Sequence, residues 1–78
     1  MSAVEIIREL TTFRGPACLV RKDGDYFVVS GPVNTSDRGP ETLVFRSDEN
    51  GEPADWVDVA GGAGMSRQEA IDDLAGAS

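Results

Sequence analysis

The chain's chemically capable side chains are densest between positions 48 and 58, where Asp48, Glu49, Glu52, Asp55, Trp56 and Asp58 follow one another. Carboxylates this close in sequence could divide acid–base work, hold a hard cation, or present negative charge to a partner. Acid–base work needs a cleft in which two carboxylates meet opposed environments, so that their pKa values separate. The run DENGEPAD reads instead as an exposed hairpin loop, with Asn50-Gly51 supplying left-handed backbone angles. A calcium loop of the EF-hand kind needs Asp-x-Asp-x-Asp-Gly and a distal Glu, and the run lacks that order. No metal ligand is assigned. The chain also has no histidine, which removes the commonest general base, the commonest metal ligand and every histidine-based triad. Cys18, the single cysteine, sits in an apolar run and reads as a buried small hydrophobe. Gly61–Gly64 precede a helix start, where backbone amides could cradle phosphate. The P-loop ending Gly-Lys-Ser/Thr is here Gly64-Met65-Ser66, so the run reads as a flexible link. No catalytic or cofactor-binding residue is assigned, no cofactor is expected, and the chain reads as non-enzymatic.

What is left for the acidic run is presentation. Trp56 stands among its carboxylates, and two placements are open for it. Period-2 alternation with Val57 and Val59 facing the core would put Trp56 and Asp58 on the other face, as an interface anchor. Alternatively, Trp56 covers the edge of the core beneath a helix. The candidate interaction residues are therefore Asp48, Glu49, Glu52, Asp55, Trp56 and Asp58.

The formal charge is −7, from 14 acidic and 7 basic residues. Sequence-independent nucleic-acid binding draws its free energy from Lys and Arg displacing counterions, so direct nucleic-acid binding is not expected. A partner with a basic surface fits this charge, which raises encounter rates with such partners. A charge of this size also serves solubility in any small domain. No apolar stretch approaches the roughly 20 residues of a membrane span, and the acidic start is unlike a secretory signal. With one unpaired cysteine there is no disulfide framework, and a cytoplasmic location is the expectation. At 78 residues the chain is read as one small domain, 1–78, of marginal stability, for which a homodimer or a partner could supply further burial.

The elements that would position the acidic run follow from periodicity. Ser2 and Glu5 fit a capping box, and Ala3, Ile6, Ile7 and Leu10 recur at helical spacing, which predicts a helix over 3–10. Strands are predicted over 17–22 and 26–30 around Asp23-Gly24, a strong hairpin turn. A two-residue turn pairs Lys22 with Asp25, Val20 with Phe27 and Cys18 with Val29. One face of that hairpin is apolar, while the other carries Leu19, Arg21, Tyr26 and Val28 and reads as partly covered. GPVNTSDRGP over 31–40 reads as a loop, followed by strands over 42–47 and 56–60. Ser66 and Glu69 make a second capping box for a helix over 66–75, with Ala70, Ile71 and Leu74 on its stripe. Short connections imply antiparallel neighbours. The expected architecture is α+β: a four-stranded antiparallel meander with a short N-terminal helix and a C-terminal helix packed on it.

The segments Glu41-Thr42-Leu43-Val44-Phe45, Asp48-Glu49-Asn50-Gly51-Glu52, Asp55-Trp56 and Ser66-Arg67-Gln68-Glu69-Ala70 together resemble small acidic phage and prophage proteins. The resemblance covers the C-terminal half. It implies a phage or mobile-element accessory protein acting in the cytoplasm of a bacterial host, and it carries over no catalytic or binding residue. The resulting expectation is a protein that binds and modulates or inhibits a host protein through its acidic surface, with anti-defence action by nucleic-acid mimicry as one form. Two other classes stand beside it: an immunity or antitoxin-like protein neutralising a cognate toxin, and a small phage structural component.

Overall fold

The computed structural model describes residues 3–12, 15–36 and 39–76. Its elements in chain order are β1 (Val4–Thr12), β2 (Gly15–Lys22), β3 (Asp25–Ser36), β4 (Gly39–Ser47), β5 (Pro53–Ala63) and α1 (Arg67–Gly76). All five strands form one antiparallel sheet in the order β1-β2-β3-β4-β5, each paired with its neighbour in sequence. The molecule is α+β, with five strands and one C-terminal helix among the described residues.

The β2–β3 hairpin has the register its turn dictates. Lys22 faces Asp25, Val20 faces Phe27 and Cys18 faces Val29. Cys18, Val20 and Val29 join Val44, Ala60 and the helix residues Ala70, Ile71 and Leu74 in the main core, with Val4, Phe27 and Val59 packed against it. The opposite face of the hairpin is buried too. Ala17, Leu19 and Val28 form a second cluster, flanked by Leu10 and Tyr26.

The helix expected over 3–10 is instead β1, an edge strand. Its apolar spacing fits a helix, but Val4, Ile6, Ile7, Thr11 and Thr12 are β-branched and stiff at χ1, which favours the pleated state. A helix of that length is also marginal unless tertiary packing supports it, whereas β2 offers a ladder along the whole segment. The expected N-cap, Ser2, lies outside the described residues. β1 carries a bulge, because Ile6 faces Val20 while Arg8 faces Leu19. The bulge leaves Ile6 and Ile7 on the exposed edge.

The loop expected over 31–40 is also strand for most of its length. β3 continues through Gly31-Pro32 to Ser36, and β4 begins at Gly39; Asp37 and Arg38 lie outside the described residues. Ser30 faces Leu43 and Val33 faces Glu41, so β3 holds one more residue than β4 across this stretch. Pro32 falls within that bulge, where its missing N–H costs the ladder little. Gly61-Gly62-Ala63, expected as a flexible link, belongs to β5 and pairs with Leu43, Thr42 and Glu41.

α1 starts as its sequence predicts. The Ser66 N–H donates to Glu69 Oε1 and the Glu69 N–H donates to Ser66 Oγ, both at 3.2 Å, which closes the capping box. Ala70, Ile71 and Leu74 are its buried residues. Arg67 forks onto both oxygens of Glu9 in β1 at 3.1 and 3.0 Å, tying the helix start to the far edge of the sheet.

Candidate protein-binding surface

The connection between β4 and β5 is organised by one carboxylate. Asp48 Oδ1 accepts the Asn50 N–H at 2.8 Å and the Glu52 N–H at 3.0 Å, while the Asp48 carbonyl accepts the Gly51 N–H at 3.1 Å. The Asp48 N–H in turn donates to the Glu52 carbonyl at 3.1 Å. Asp48 is thus half spent on holding its own turn, a role that Asp fills better than Glu because its short side chain reaches backbone two residues on. Glu49 and Glu52 stand exposed on the turn so formed.

This turn rests against β1, four strands away in the sheet order. Arg8 Nη2 donates to the Asn50 carbonyl at 3.0 Å. Gly51, at φ +87°, packs so close to Leu10 that a Cβ there would come within 2.7 Å of Leu10 Cδ1 and the leucine side chain would have to shift. For the first strand and the β4–β5 turn to touch, the sheet must coil strongly, as the right-handed twist of its strands favours. The coil brings the turn over toward the second cluster, which explains how that face is covered without a helix.

β5 departs from plain alternation just where the candidate residues lie. Phe45 faces Asp58 and Ser47 faces Pro53, so four residues of β5, Ala54–Val57, answer one residue of β4. Within this excursion Trp56 adopts φ +58°, and Asp55 Oδ1 accepts the Val57 N–H at 3.1 Å. The left-handed residue reverses the side-chain alternation. Val57, expected to face the core, is 58% exposed, whereas Val59 does pack on the main core. Trp56 is 47% exposed and meets Phe45 edge to face, with centroids 5.5 Å apart and planes at 67°. Phe45 faces Val28 of the second cluster in register, so Trp56 lies on the sheet face opposite α1 rather than beneath it.

The six candidate residues therefore fall into distinct environments. Glu52 and Trp56 come together, lining a groove of about 240 Å³ with Leu10, Thr12, Gly51 and Pro53. Asp48 and Asp55 each give an oxygen to the backbone. Glu49 and Asp58 are exposed and lie outside the groove. The contribution of Leu10 and Thr12 was not among the expectations, because it depends on β1 being a strand and on the coil of the sheet. A larger groove of about 570 Å³ lies past the C-terminal end of α1, lined by Lys22, Tyr26, Phe27, Arg46, Val59 and Leu74 among others. There Lys22 Nζ donates to the Leu74 carbonyl at 2.8 Å, a cation set at the negative end of the helix.

Cys18 is buried, and burial pushes its thiol above the ordinary value of 9.0, with Arg67 drawing it back and Glu9 adding to the rise. A thiol held protonated is a poor nucleophile. Among the described residues no group of three or more His, Cys, Asp or Glu is placed to hold a metal ion, and no helix is long and apolar enough to cross a membrane. The fold and the surface define a small α+β domain with an aromatic-centred, carboxylate-bearing patch at one end of its sheet. Comparison with protein-family models, with curated proteins and with solved structures gives no match.

Proposed function

We propose that this protein is a non-enzymatic binding domain that docks a basic surface of another protein on the patch formed by Glu49, Glu52, Asp55, Trp56 and Asp58. The observation that carries this reading is the placement of Trp56. A large ring held nearly half exposed, in a left-handed conformation, between carboxylates is costly for a structural residue. Interface hot spots are rich in such aromatic residues, and a rim of charge gives orientation and speed of encounter. Asp48 drops out of the contact set because its Oδ1 holds two backbone amides of the turn, whereas Asp55 holds one.

The resemblance of the C-terminal half to phage proteins, together with the charge of −7, supports a narrower version. In it the protein is a phage or mobile-element accessory factor acting in a bacterial host. Its target is a host protein with a basic surface, such as a defence nuclease, for which clustered carboxylates imitate nucleic-acid phosphates. The experiment is capture from host lysate with the wild-type chain, a Trp56→Ala variant and a triple variant carrying Glu49→Gln, Glu52→Gln and Asp58→Asn. A partner bound through this patch should be weakened about thirtyfold or more by Trp56→Ala, as expected of a hot spot. The triple variant should lose the salt dependence of binding. Undiminished capture by both variants at low salt would remove the reading.

A further inference from the structure

The groove between Trp56 and β1 has the size of one side chain. At about 240 Å³ it is smaller than the roughly 300–1,000 Å³ of sites that enclose a small molecule. Leu10, Pro53 and Trp56 give it apolar wall, Thr11, Thr12 and Asn50 give it neutral polar wall, and Glu52 is its one acidic residue. Arg8 is not among the lining residues; its guanidinium is held at the groove's edge by the carbonyl of Asn50, which is. A groove that combines apolar wall, an aromatic residue and an acidic one fits a long aliphatic stem bearing a planar cation.

We propose that this groove receives an arginine side chain from the partner. Its stem lies along Leu10 and Pro53, and its guanidinium stacks on Trp56 and pairs with Glu52. The proposal rests on the binding reading above and names the residue that this surface selects. Arginine suits the site better than lysine because its flat guanidinium stacks on rings and offers two parallel donors to a carboxylate. The ammonium of lysine is a compact, strongly hydrated charge.

The test uses the intact chain and a small probe, N-acetyl-arginine methylamide, followed by proton–nitrogen NMR. Trp56 is the sole tryptophan, so its indole N–H is a single assignable reporter. Saturable shifts are expected at that indole and at the amides of Gly51, Glu52 and Leu10–Thr12. N-acetyl-citrulline methylamide, which has the same shape without the charge, should bind about tenfold more weakly or less. Glu52→Gln, an exposed change with little risk to folding, should weaken the arginine probe about three- to tenfold, while Asp72→Asn, an exposed change on α1 at the other face of the sheet, leaves it unchanged. Equal binding of the citrulline probe, shifts spread over the acidic surface without saturation, or indifference to Glu52→Gln would each overturn the proposal. If it fails while Trp56→Ala still abolishes partner capture, the binding surface stands and only the arginine assignment falls.

Discussion

The β2–β3 and β4–β5 hairpins are neighbours in one sheet, yet they use their side chains in opposite ways. β2–β3 turns on two residues, keeps an unbroken register, and buries residues of both faces, with Cys18 and Val20 toward α1 and Leu19 and Val28 away from it. β4–β5 turns on a longer connection and loses register between Phe45 and Ser47, and the extra residues carry Trp56 and Val57 outward. A regular ladder commits each side chain to a face, and at the middle of this sheet both faces of β2 and β3 are core. Breaking the ladder frees residues from that commitment at the cost of local backbone strain. The surface proposed for a partner lies where pairing fails, held in place by neighbours that pair well.

The largest test of this contrast is Leu19→Ala, in the fully committed hairpin. Leu19 is 0% exposed, and truncation of such a residue costs about 2–5 kcal/mol. Against a total of about 4–12 kcal/mol for a 78-residue domain, urea denaturation should show a large fraction of the stability gone. A loss under about 1 kcal/mol would mean that the second cluster is not real core. A paired comparison of glycines comes next. Gly61 at φ +91° would place a Cβ 2.2 Å from the Thr42 carbonyl oxygen, whereas Gly24 at φ +85° has open space around it. Gly24→Ala should cost the left-handed penalty alone, about 1–2 kcal/mol. Gly61→Ala adds a backbone collision and should cost about 2–5 kcal/mol in total. Equal losses would show that the Gly61 end of β5 yields freely, and would break the picture of a firm strand supporting a released one.

The legibility of the sequence follows the same divide. Asp23-Gly24 sets the first hairpin because a two-residue turn leaves only one register, and the Ser66–Glu69 box sets the helix because both its hydrogen bonds are local. Val4–Thr12 shows the limit of local pattern. Its apolar spacing matches a helix while its β-branched residues lean toward a strand, and pairing with β2, a non-local event, decides between them. Val57 shows another, since alternation holds until Trp56 takes a positive φ that nothing in the neighbouring residue types demands. Trp56 and Glu52 are legible as candidates by type, but the groove they share is not. Leu10 reaches it only because the sheet coils and Gly51 permits contact.

The smallest effect separates two adjacent acidic residues that composition treats as equal. Asp48 holds the Asn50 and Glu52 amides, while Glu49 stands exposed on the same turn. Asp48→Ala removes an acceptor shared by two exposed amides, and water takes its place in part, so about 0.5–1.5 kcal/mol should be lost. In a domain of this size that lowers Tm by about 2–12 °C. Glu49→Gln should stay within about 0.5 kcal/mol of the wild-type chain. A second readout distinguishes a turn that merely frays from one that positions the groove. Because Glu52 and Trp56 line the same groove and Asp48 fixes the Glu52 backbone, the Trp56 indole resonance should move in Asp48→Ala and not in Glu49→Gln. If Tm falls while the indole stays in place, the turn and the Trp56 excursion are independent, and the surface is built by β5 alone.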